Sequence, residues 1–470
     1  MDVFLTIGLE IHTELLTKTK MFSSSPLRDD ALPNTLINEI DLALPGTLPS
    51  VNKKAVILGI TLAKYLNMNV ENFLAFDRKN YFYLDLPKGY QITQQYYPIG
   101  RNGKIVISNK TINIERIHLE EDTAKKISNG EEVWLDYNRA GVPLIEIVTK
   151  PDFNTKEECV EFLNKLKRIL TFLEISDGKM ENGSLRVDLN ISVSTDKNTL
   201  GKKVEVKNIN SFYNVAKAID FEYNRQKEIV LNQQTVSQET RRWDDSTNST
   251  ISMRTKNDAI DYRYITEPNI VACDIANLIN QTEVSEANKP ECVESFLNAQ
   301  GVNPTIIQQL LDNYSLYKVF KYVCEKTNDY NAATTWIVVE LMKLINEDGK
   351  TIETIPYSTI DFISDMILMI KNNEINGKQA KQIIVEIYQK NISPQKIVSE
   401  NGLAQITDKN VIKELYLKIF EQNPAMVEQC KVRPDRTEKF FIGMLMKETK
   451  GQANPQLANE VLRELMSNLN

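Results

Sequence analysis

The sequence predicts an α+β fold, and three observations support this class. Up to about residue 270, short runs of β-forming residues are interrupted by Gly, Pro and Asn, and amphipathic helical patterns lie between them. These strands and helices follow one another irregularly, which is typical of an α+β domain rather than of a regular parallel βαβ array. Beyond residue 290 the β-forming runs fade and apolar residues recur at helical spacing.

Two breaks divide the 470 residues into three predicted domains. A polar stretch ends at Lys289-Pro290, and a second, turn-rich stretch ends at Gly402. We therefore expect a mixed α/β domain over residues 1–289, an all-α helical domain over residues 290–396 and a small helical tail domain over residues 397–470.

The composition excludes several classes of protein. There are 56 Lys and Arg against 63 Asp and Glu, which gives a formal net charge of −7, and this acidic balance lacks the footprint of bulk nucleic-acid binding. No stretch is apolar enough to span a membrane and no signal peptide is visible, so we expect a cytoplasmic protein without a membrane partner. The five cysteines are far apart and form no CxxC pair, which argues against a zinc knuckle or a disulfide framework.

The first predicted strand, residues 3–11, carries candidate metal ligands on one face. Its odd positions are all apolar, so strand alternation places Glu10, His12 and Glu14 on the opposite face. Two carboxylates that flank an imidazole could hold a divalent cation, and a carboxylate-rich set favours Mg²⁺ or Mn²⁺ over zinc. A solvated strand face is the alternative.

Further acidic residues lie in or beside strand-like runs. His118 is followed by the acidic run 120–122, whose charges repel one another unless water or a cation screens them. An acidic turn is the alternative. Glu146 has apolar neighbours on both sides, so it is either an outward edge residue or a buried group with a function. Asp188 lies in a similar alternating run.

Basic residues form three local groups. Residues 76–83 interleave Arg and Lys with aromatic residues, which suits a phosphate or a stacked base, although a core strand with two surface cations is the alternative. Residues 238–264 contain arginines that could bind phosphate or carboxylate. Residues 431–450 hold six Lys and Arg against three acids, and this excess could face a polyanion. A solvated helix face explains it equally well.

Familiar nucleotide and hydrolase motifs are absent. Gly349-Lys350-Thr351 looks like the end of a phosphate loop, but Leu344 stands where that loop needs its first Gly, so we interpret the segment as a helix-ending turn. With two histidines and isolated cysteines, a nucleophilic Cys–His or Ser–His site has little to build on. Any use of ATP must therefore rely on carboxylate-held metal and on Arg or Lys contacts.

Taken together and in order, these segments resemble the B subunit of the aspartyl/glutamyl-tRNA(Asn/Gln) amidotransferases. The motifs that carry the resemblance are Ile7–His12, Leu44–Pro49, Phe76–Phe82, His118–Asp122, Asn138–Val148, Gly183–Arg186, Lys207–Phe212, Gln238–Arg241, Asp261–Tyr264 and Lys450–Pro455. They extend over nearly the whole chain, which makes the resemblance highly specific.

The resemblance implies a catalytic cradle related to glutamine-synthetase-type folds, then a helical domain and a tail that binds tRNA. It implies a carbon–nitrogen ligase with glutamine as amido donor. Such a protein uses ATP to phosphorylate the side-chain carboxylate of a glutamate or aspartate wrongly esterified to tRNA(Gln) or tRNA(Asn). Ammonia from a partner amidase (A) subunit then displaces phosphate, in a heterotrimer that also contains a small C subunit.

The resemblance also implies site residues. The catalytic and metal-site residues are Glu10, His12, Glu121 and Glu146, with Asp188 as a further metal ligand. The nucleotide or acceptor-end contacts are Arg186, Lys207, Arg254 and Arg263, and the tRNA contacts of the tail are Lys447 and Lys450. Strict alternation would group Glu120 with His118, but we expect the acidic run to leave the strand and therefore keep Glu121. His118 has no assigned role.

One departure from the family pattern bears on the cofactors. Ser23–Pro26 stand where many members carry cysteines that sometimes bind zinc, so we expect no structural zinc in this chain. The expected cofactors are ATP and Mg²⁺, with Mn²⁺ as an alternative. Two other function classes stay open: a small-molecule carboxylate–amine ligase, which has no need of a basic helical tail, and a non-catalytic tRNA-binding scaffold, which has no need of the metal-site residues.

Overall fold

The computed structural model of the chain describes all residues except 1, 29, 109, 256–260, 403–404, 407, 430–433, 450 and 468–470. It contains two compact units, Met1–Val293 and Glu294–Asn470. The first unit mixes strands and helices and the second is built mainly of helices, so the predicted α+β class is confirmed. The division into three domains at residues 289 and 396 stays a prediction.

The first unit is organised around one large sheet. Its strands are β1 (Phe4–Glu14), β2 (Asn69–Val70), β3 (Phe73–Leu74), β4 (Asp77–Asn80), β5 (Tyr90–Thr93), β6 (Gly100–Val106), β7 (Thr111–Glu121), β8 (Lys125–Ser128), β9 (Val133–Asp136), β10 (Pro143–Thr149), β11 (Leu185–Ser194), β12 (Val204–Ile209), β13 (Glu239–Asp244), β14 (Ser249–Thr255), β15 (Ile265–Thr266) and β16 (Cys273–Asp274). Nine of them form a sheet in the order β14-β13-β12-β11-β1-β10-β7-β6-β2, with β1 at its centre. Its strand pairs are antiparallel except for β12 and β13.

One face of this sheet is buried beneath helices. The alternating apolar residues of β1, such as Ile7, Leu9 and Ile11, are fully or almost fully buried, as predicted from their spacing. The same core contains apolar residues of α1 (Lys53–Tyr65), α2 (Lys156–Phe172) and α3 (Phe212–Leu231). Because these helices cover one face, the even-numbered polar residues of β1 must lie on the other.

Side-chain caps define where these three helices begin. Asn52 accepts hydrogen bonds from backbone N–H groups in the first turn of α1, and Thr155 and Ser211 do the same for α2 and α3. Such caps satisfy donors that have no partner within the helix. The helices therefore begin where the sequence offers a short polar side chain just before an apolar stripe.

Smaller sheets flank the large one. Strands β15, β4 and β5 form a three-stranded sheet, while β16 pairs with β3 and β8 pairs with β9. The side chain of Gln91 on β5 donates to the backbone carbonyl of Glu121 at 2.7 Å, and the amide of Leu119 donates to Gln94 Oε1 at 3.0 Å. The three-stranded sheet is thereby attached beside the end of β7.

The remaining helices lie mostly in the second unit. They are α4 (Ala276–Gln281), α5 (Pro290–Ala299), α6 (Pro304–Asp312), α7 (Tyr314–Thr327), α8 (Tyr330–Ala333), α9 (Met342–Glu347), α10 (Tyr357–Lys371), α11 (Gly377–Lys390), α12 (Pro394–Asn401), α13 (Lys409–Gln422), α14 (Pro424–Glu428), α15 (Pro434–Glu448) and α16 (Pro455–Ser467), with a π-helix over Thr334–Leu341. Near the C-terminal end, α13, α15 and α16 share a core that includes Tyr416, Phe441 and Leu462. Among the described residues, no helix combines the length and apolarity needed to cross a membrane.

Candidate active site

The central strands of the large sheet place both histidines of the chain in one row. In the strand register, His12 of β1 lies opposite Glu146 of β10, and Glu146 lies opposite His118 of β7. On the other side of β1, His12 faces Arg186 of β11. Residues directly opposite each other in antiparallel strands point to the same face, so this row lies on the face opposite the core.

The two imidazoles share two carboxylates. His12 Nε2 lies 3.2 Å from Glu146 Oε2 and 3.6 Å from Glu120 Oε1. His118 Nε2 lies 3.1 Å from Glu146 Oε2 and 3.6 Å from Glu120 Oε2. We call these four residues the acidic cluster. His118 and both carboxylates are buried, and His12 is 21% exposed, which leaves the cluster accessible from the side of β1.

The electrostatics of the acidic cluster keep its carboxylates negative. Burial alone would lower the pKa of His118, but Glu146 and Glu120 raise it to about 9. Burial would raise the pKa of Glu146, but the two imidazoles hold it well below its ordinary value. Two ionised carboxylates in a protein interior require positive charge nearby, which protons on the imidazoles supply and a cation could replace.

The donor set fits a divalent metal ion. One ligand atom each from His12, Glu120 and Glu146 lies within 4.8 Å of the others, which is close enough for a single ion. Oxygen-rich sites with one imidazole suit Mg²⁺ or Mn²⁺. His118 Nδ1 is buried without a hydrogen-bond partner in the described part of the chain, so this imidazole is held only through Nε2.

The structure does not bring Glu121 to His12 and Glu146, and Glu120 takes that place. Strand β7 continues through Glu121, so alternation holds and Glu121 points to the face opposite Glu120. There Glu121 forms an ion pair with Lys88 and accepts a hydrogen bond of 3.1 Å from the amide of Ile92. The expectation that the acidic run leaves the strand before Glu121 does not agree with this geometry.

Glu10 and Asp188 belong to a second carboxylate group one row away. They lie opposite each other on β1 and β11, and Glu205 of β12 completes a set whose ligand atoms are also within 4.8 Å. Lys207 Nζ lies 2.5 Å from Asp188 Oδ2 and 3.0 Å from Glu205 Oε1. Four of the five predicted metal-site residues are therefore split between two neighbouring groups, whereas Glu121 belongs to neither. In the second group a lysine neutralises part of the charge.

Glu205 was not singled out in the sequence, although a signal for it exists. In the strand 204–209, Val204 and Val206 are buried, and the alternate positions hold Glu205, between them, and Lys207, after them. Alternation alone would have placed Glu205 on the polar face. What it could not show is that β12 lies next to β11, because pairing between strands is not encoded in the local pattern.

The four predicted nucleotide or acceptor-end residues have different surroundings. Arg186 pairs with Asp122 at 2.9 Å, and Lys207 is engaged by the second carboxylate group. Arg254 lies in register with Thr240 near the edge of the large sheet, and its side chain lies outside the described atoms. Arg263 is 84% exposed and lies 3.8 Å from Asp261, so its guanidinium is largely free to contact a ligand.

Lys79 is a cation beside the acidic cluster. The sequence predicted a basic and aromatic segment over residues 76–83 but did not single out Lys79. Its Nζ lies 4.8 Å from the ring centre of Tyr262 and 6.0 Å from that of Tyr81. Burial would lower the pKa of Lys79, but the charges of Glu120 and Glu146 act in the opposite direction, and the net result is a raised pKa. The interleaved run 76–83 indicated a basic and aromatic segment without showing which cation faces the acids.

The predicted tRNA contacts of the tail lie at the end of α15. Lys447 is exposed in the last turn of that helix. Lys450 lies outside the described residues. A basic residue at a helix C-terminus is favoured by the helix dipole, so the position of Lys447 has a structural explanation as well.

Comparisons with known proteins identify the family to which the chain belongs. The family model described as the GatB/GatE catalytic domain matches residues 5–281, and the model described as the GatB domain matches residues 318–466. The B subunit of the aspartyl/glutamyl-tRNA(Asn/Gln) amidotransferase of Ureaplasma urealyticum serovar 10 is 50% identical, with 98% of each chain covered. The proteins of the same name from Malacoplasma penetrans and Mycoplasma capricolum subsp. capricolum are each 45% identical; 98% of this chain is covered in both comparisons, with 97% and 98% of the respective relatives. The resemblance seen in the motifs is thereby confirmed, and the chain belongs to the family of aspartyl/glutamyl-tRNA(Asn/Gln) amidotransferase B subunits.

Proposed function

We propose that this chain is the transamidating subunit that converts glutamate on tRNA(Gln), aspartate on tRNA(Asn), or both, to the corresponding amide. The observation that carries the proposal is the acidic cluster, in which His12, Glu120 and Glu146 meet on the polar face of the central strands. The names of the relatives support the substrate class. A glutamine-synthetase-type cradle is the fold that we propose for this unit on the basis of the motifs.

The chemistry requires activation of a poor electrophile. A carboxylate does not react with ammonia, and transfer of the ATP γ-phosphoryl group to it forms an acyl phosphate with a good leaving group. His12, Glu120 and Glu146 would hold a Mg²⁺ or Mn²⁺ ion, with Glu10 and Asp188 as ligands of the neighbouring group. When bound, such an ion supplies charge neutralisation for phosphoryl oxygens.

The basic residues would position the two substrates. Arg186 lies beside His12 in the row across the strands, so its guanidinium is close to where a phosphate would lie. We assign Arg186, Lys207, Arg254 and Arg263 to nucleotide or acceptor-end contacts, and Lys447 and Lys450 to the body of the tRNA.

The partners follow from the chemistry of the ammonia donor. Free ammonia is diluted and protonated in water, so a nearby source is needed. We infer a heterotrimer with an amidase (A) subunit and a small C subunit, in the cytoplasm, where misacylated tRNA is available. The relatives are themselves named as one lettered component of an amidotransferase, which supports a complex of several subunits.

The test compares two adjacent glutamates that differ in the face they occupy. In the complex with its amidase and small subunits, Glu120→Gln is expected to reduce ATP-dependent amidation of misacylated tRNA by about a hundredfold or more, because it removes a charged ligand of the proposed ion. Glu121→Gln serves as the matched control. Binding of Mn²⁺, followed by electron paramagnetic resonance, should weaken in Glu120→Gln and persist in Glu121→Gln.

Binding of tRNA should persist in both variants. The metal-site assignment fails if Glu120→Gln binds Mn²⁺ and amidates like wild type. A non-catalytic scaffold would show no ATP-dependent amidation in the wild-type complex, and a small-molecule ligase would amidate a free amino acid without tRNA.

A further inference from the structure

The turn between β4 and β5 presents unusually exposed apolar side chains. Phe82 is 89% exposed, Leu84 70% and Tyr83 53%. Contiguous apolar surface of this kind commonly marks a place where a ligand or partner binds. None of these three residues has a role in the acidic cluster.

The turn is ordered by its own backbone. The amide of Tyr81 donates to the carbonyl of Gly89 at 3.1 Å, and the amide of Leu86 donates to the carbonyl of Tyr83 at 3.1 Å. Gly89 has a φ of +71°, and a Cβ there would lie 3.0 Å from Cε1 of Phe82. The absence of a side chain at Gly89 thus leaves room for the Phe82 ring, whose outer surface faces solvent.

Aromatic contacts connect the exposed ring of Tyr83 to Lys79. The ring of Tyr83 lies 5.7 Å from that of Tyr81, and Tyr81 lies 5.9 Å from Tyr262. The Nζ atom of Lys79 lies over the ring of Tyr262. A series of neighbouring side chains therefore leads from the exposed turn to Lys79, whose charge interacts with those of Glu120 and Glu146.

The strand pairing gives an independent connection. Strand β4 pairs with β5, and Thr93 of β5 donates to Glu120 Oε2 at 3.3 Å. On the other side, Asn80 of β4 donates through its side chain to the carbonyl of Arg263 at 2.7 Å. The hairpin that carries the turn therefore contacts Glu120 through Thr93 and the backbone of the exposed Arg263 through Asn80, the residue just before the turn.

From this arrangement we infer that the exposed rings of Phe82 and Tyr83 form a stacking platform for the terminal, unpaired nucleobase of the acceptor strand. The inference rests on the proposed function, in which the reacting amino acid is esterified to the terminal ribose. The ribose, the ester and the amino-acid side chain then link the base to the carboxylate that reacts at the acidic cluster, so the base must be received within the length of that link.

The chemistry of the turn fits a single-stranded RNA end. Unpaired bases stack on aromatic side chains, and every base offers a π-face for this contact. Arg263 adds an exposed positive charge for the phosphate backbone. Because Phe82 is almost fully exposed, the platform is open to a strand that arrives from solvent, whereas the adenine of a small nucleotide is usually enclosed.

The experiment uses the complex with its amidase and small subunits and measures kcat, the KM for misacylated tRNA and the KM for ATP. Phe82→Ala and Tyr83→Ala are each expected to raise the KM for misacylated tRNA about five- to hundredfold, the range typical of one lost stacking contact. The KM for ATP should stay unchanged, and Phe82→Trp should restore the KM for tRNA. Tyr213→Ala, at an exposed aromatic residue on α3 (69% exposed), is the matched control and should behave as wild type.

Three results would overturn the inference. A rise in the KM for ATP would place the adenine of ATP on these rings, and dissociation of the subunits in Phe82→Ala would make the turn a protein contact. Wild-type KM values in both alanine variants would remove any role in substrate binding. A wild-type complex that makes no amide on tRNA would instead refute the proposed function, and this inference with it.

Discussion

His12 and His118 contact the same two carboxylates. Each Nε2 faces Glu146 and Glu120, and the distances differ by at most 0.1 Å between the two imidazoles. We propose that His118 is a positioning residue for the carboxylates of the proposed metal site, because it contacts both of them as His12 does.

Lys207 is the charge partner of Asp188 and Glu205 in the second carboxylate group. Burial would lower the pKa of Lys207, but Asp188 and Glu205 raise it. Lys207→Met should lower the free energy of unfolding by about 1–3 kcal/mol in EDTA, because the two carboxylates lose their partner. Millimolar Mn²⁺ should recover part of this loss, since a cation can then replace the ammonium group.

Thermal unfolding with and without Mn²⁺ measures this effect. Lys202→Met, at an exposed position before the same strand, is the control and should change neither curve. A Lys207→Met protein as stable as wild type in EDTA would contradict the prediction.

At the scale of elements, β7 shows why regular alternation is informative. Its eleven residues remain in one strand to the end, so every second side chain returns to the same face. Repulsion between like charges favours an acidic run 120–122 that leaves the strand. The structure relieves that repulsion differently, by sending Glu120 to the imidazoles and Glu121 to Lys88, on opposite faces.

Helix α3 is attached to the edge strands by a buried charge. Glu222 is fully buried and accepts hydrogen bonds from Arg225 at 2.8 Å and from Thr250 of β14 at 2.5 Å. It also lies 3.1 Å from the guanidinium of Arg241 on β13. A single carboxylate thus links the helix to the two strands that lead towards Arg254.

Glu222→Gln should lower the free energy of unfolding by about 1–3 kcal/mol at pH 7, because it removes one of the two carboxylates that pair with Arg225 and Arg241 and leaves them with Glu239. Burial would raise the pKa of Glu222, but the bonds from Arg225, Gln226 and Thr250 lower it. A lowered pKa means that the stabilisation is complete above the unfolded-state pKa of about 4.3 and is lost as the pH falls below it.

Urea unfolding at several pH values tests this prediction. The difference between wild type and Glu222→Gln should be constant from pH 8 to about 5.5 and should shrink below about 4.3. Glu228→Ala, at an exposed position on the same helix, should have little effect at any pH. A difference that grows on acidification would show that the sign of the linkage is wrong.

At the scale of the whole molecule, the net charge and the local charges lead to different predictions about nucleic-acid binding. The net charge of −7 argued against nucleic acid, yet the family and the tail favour tRNA. Acidic residues are concentrated in part at the two carboxylate groups, where a metal ion and phosphates would balance them. The net charge of the chain is therefore a poor predictor of a partner that contacts only selected surfaces.

Deletion of residues 401–470 should reduce amidation of misacylated tRNA by at least about tenfold, mainly through a higher KM for tRNA, because phosphate contacts supply much of the affinity for nucleic acid. The tail has its own core around Tyr416, Phe441 and Leu462, whose loss removes the whole surface that carries Lys447. Steady-state kinetics on the complex measures the effect.

The point variant Lys447→Glu is the gentler companion to this deletion. It should raise the KM for tRNA several-fold and reduce its dependence on salt. A small-molecule ligase would retain its activity after the deletion, so full activity without residues 401–470 would exclude a tRNA-binding role for the tail.

Much of the fold class and part of the candidate site could be predicted from local patterns. The odd positions of β1 from Ile7 onward are buried and its even positions carry Glu10 and His12, because a strand has a side-chain period of two whatever surrounds it. The same rule places Glu120 on the face of His118. The prediction of Glu121 as a metal-site residue departed from this rule, and the observed geometry follows the rule.

Contacts between distant segments could not be predicted in this way. That Glu146 would lie between His12 and His118 depends on β10 pairing with both β1 and β7, and that Lys207 would meet Asp188 depends on β12 lying beside β11. Strand pairing is a non-local choice made by the packing of the entire sheet against its helices. The sequence therefore specified which side chains share a face within each strand, whereas the order of the strands determined which of them meet to form a site.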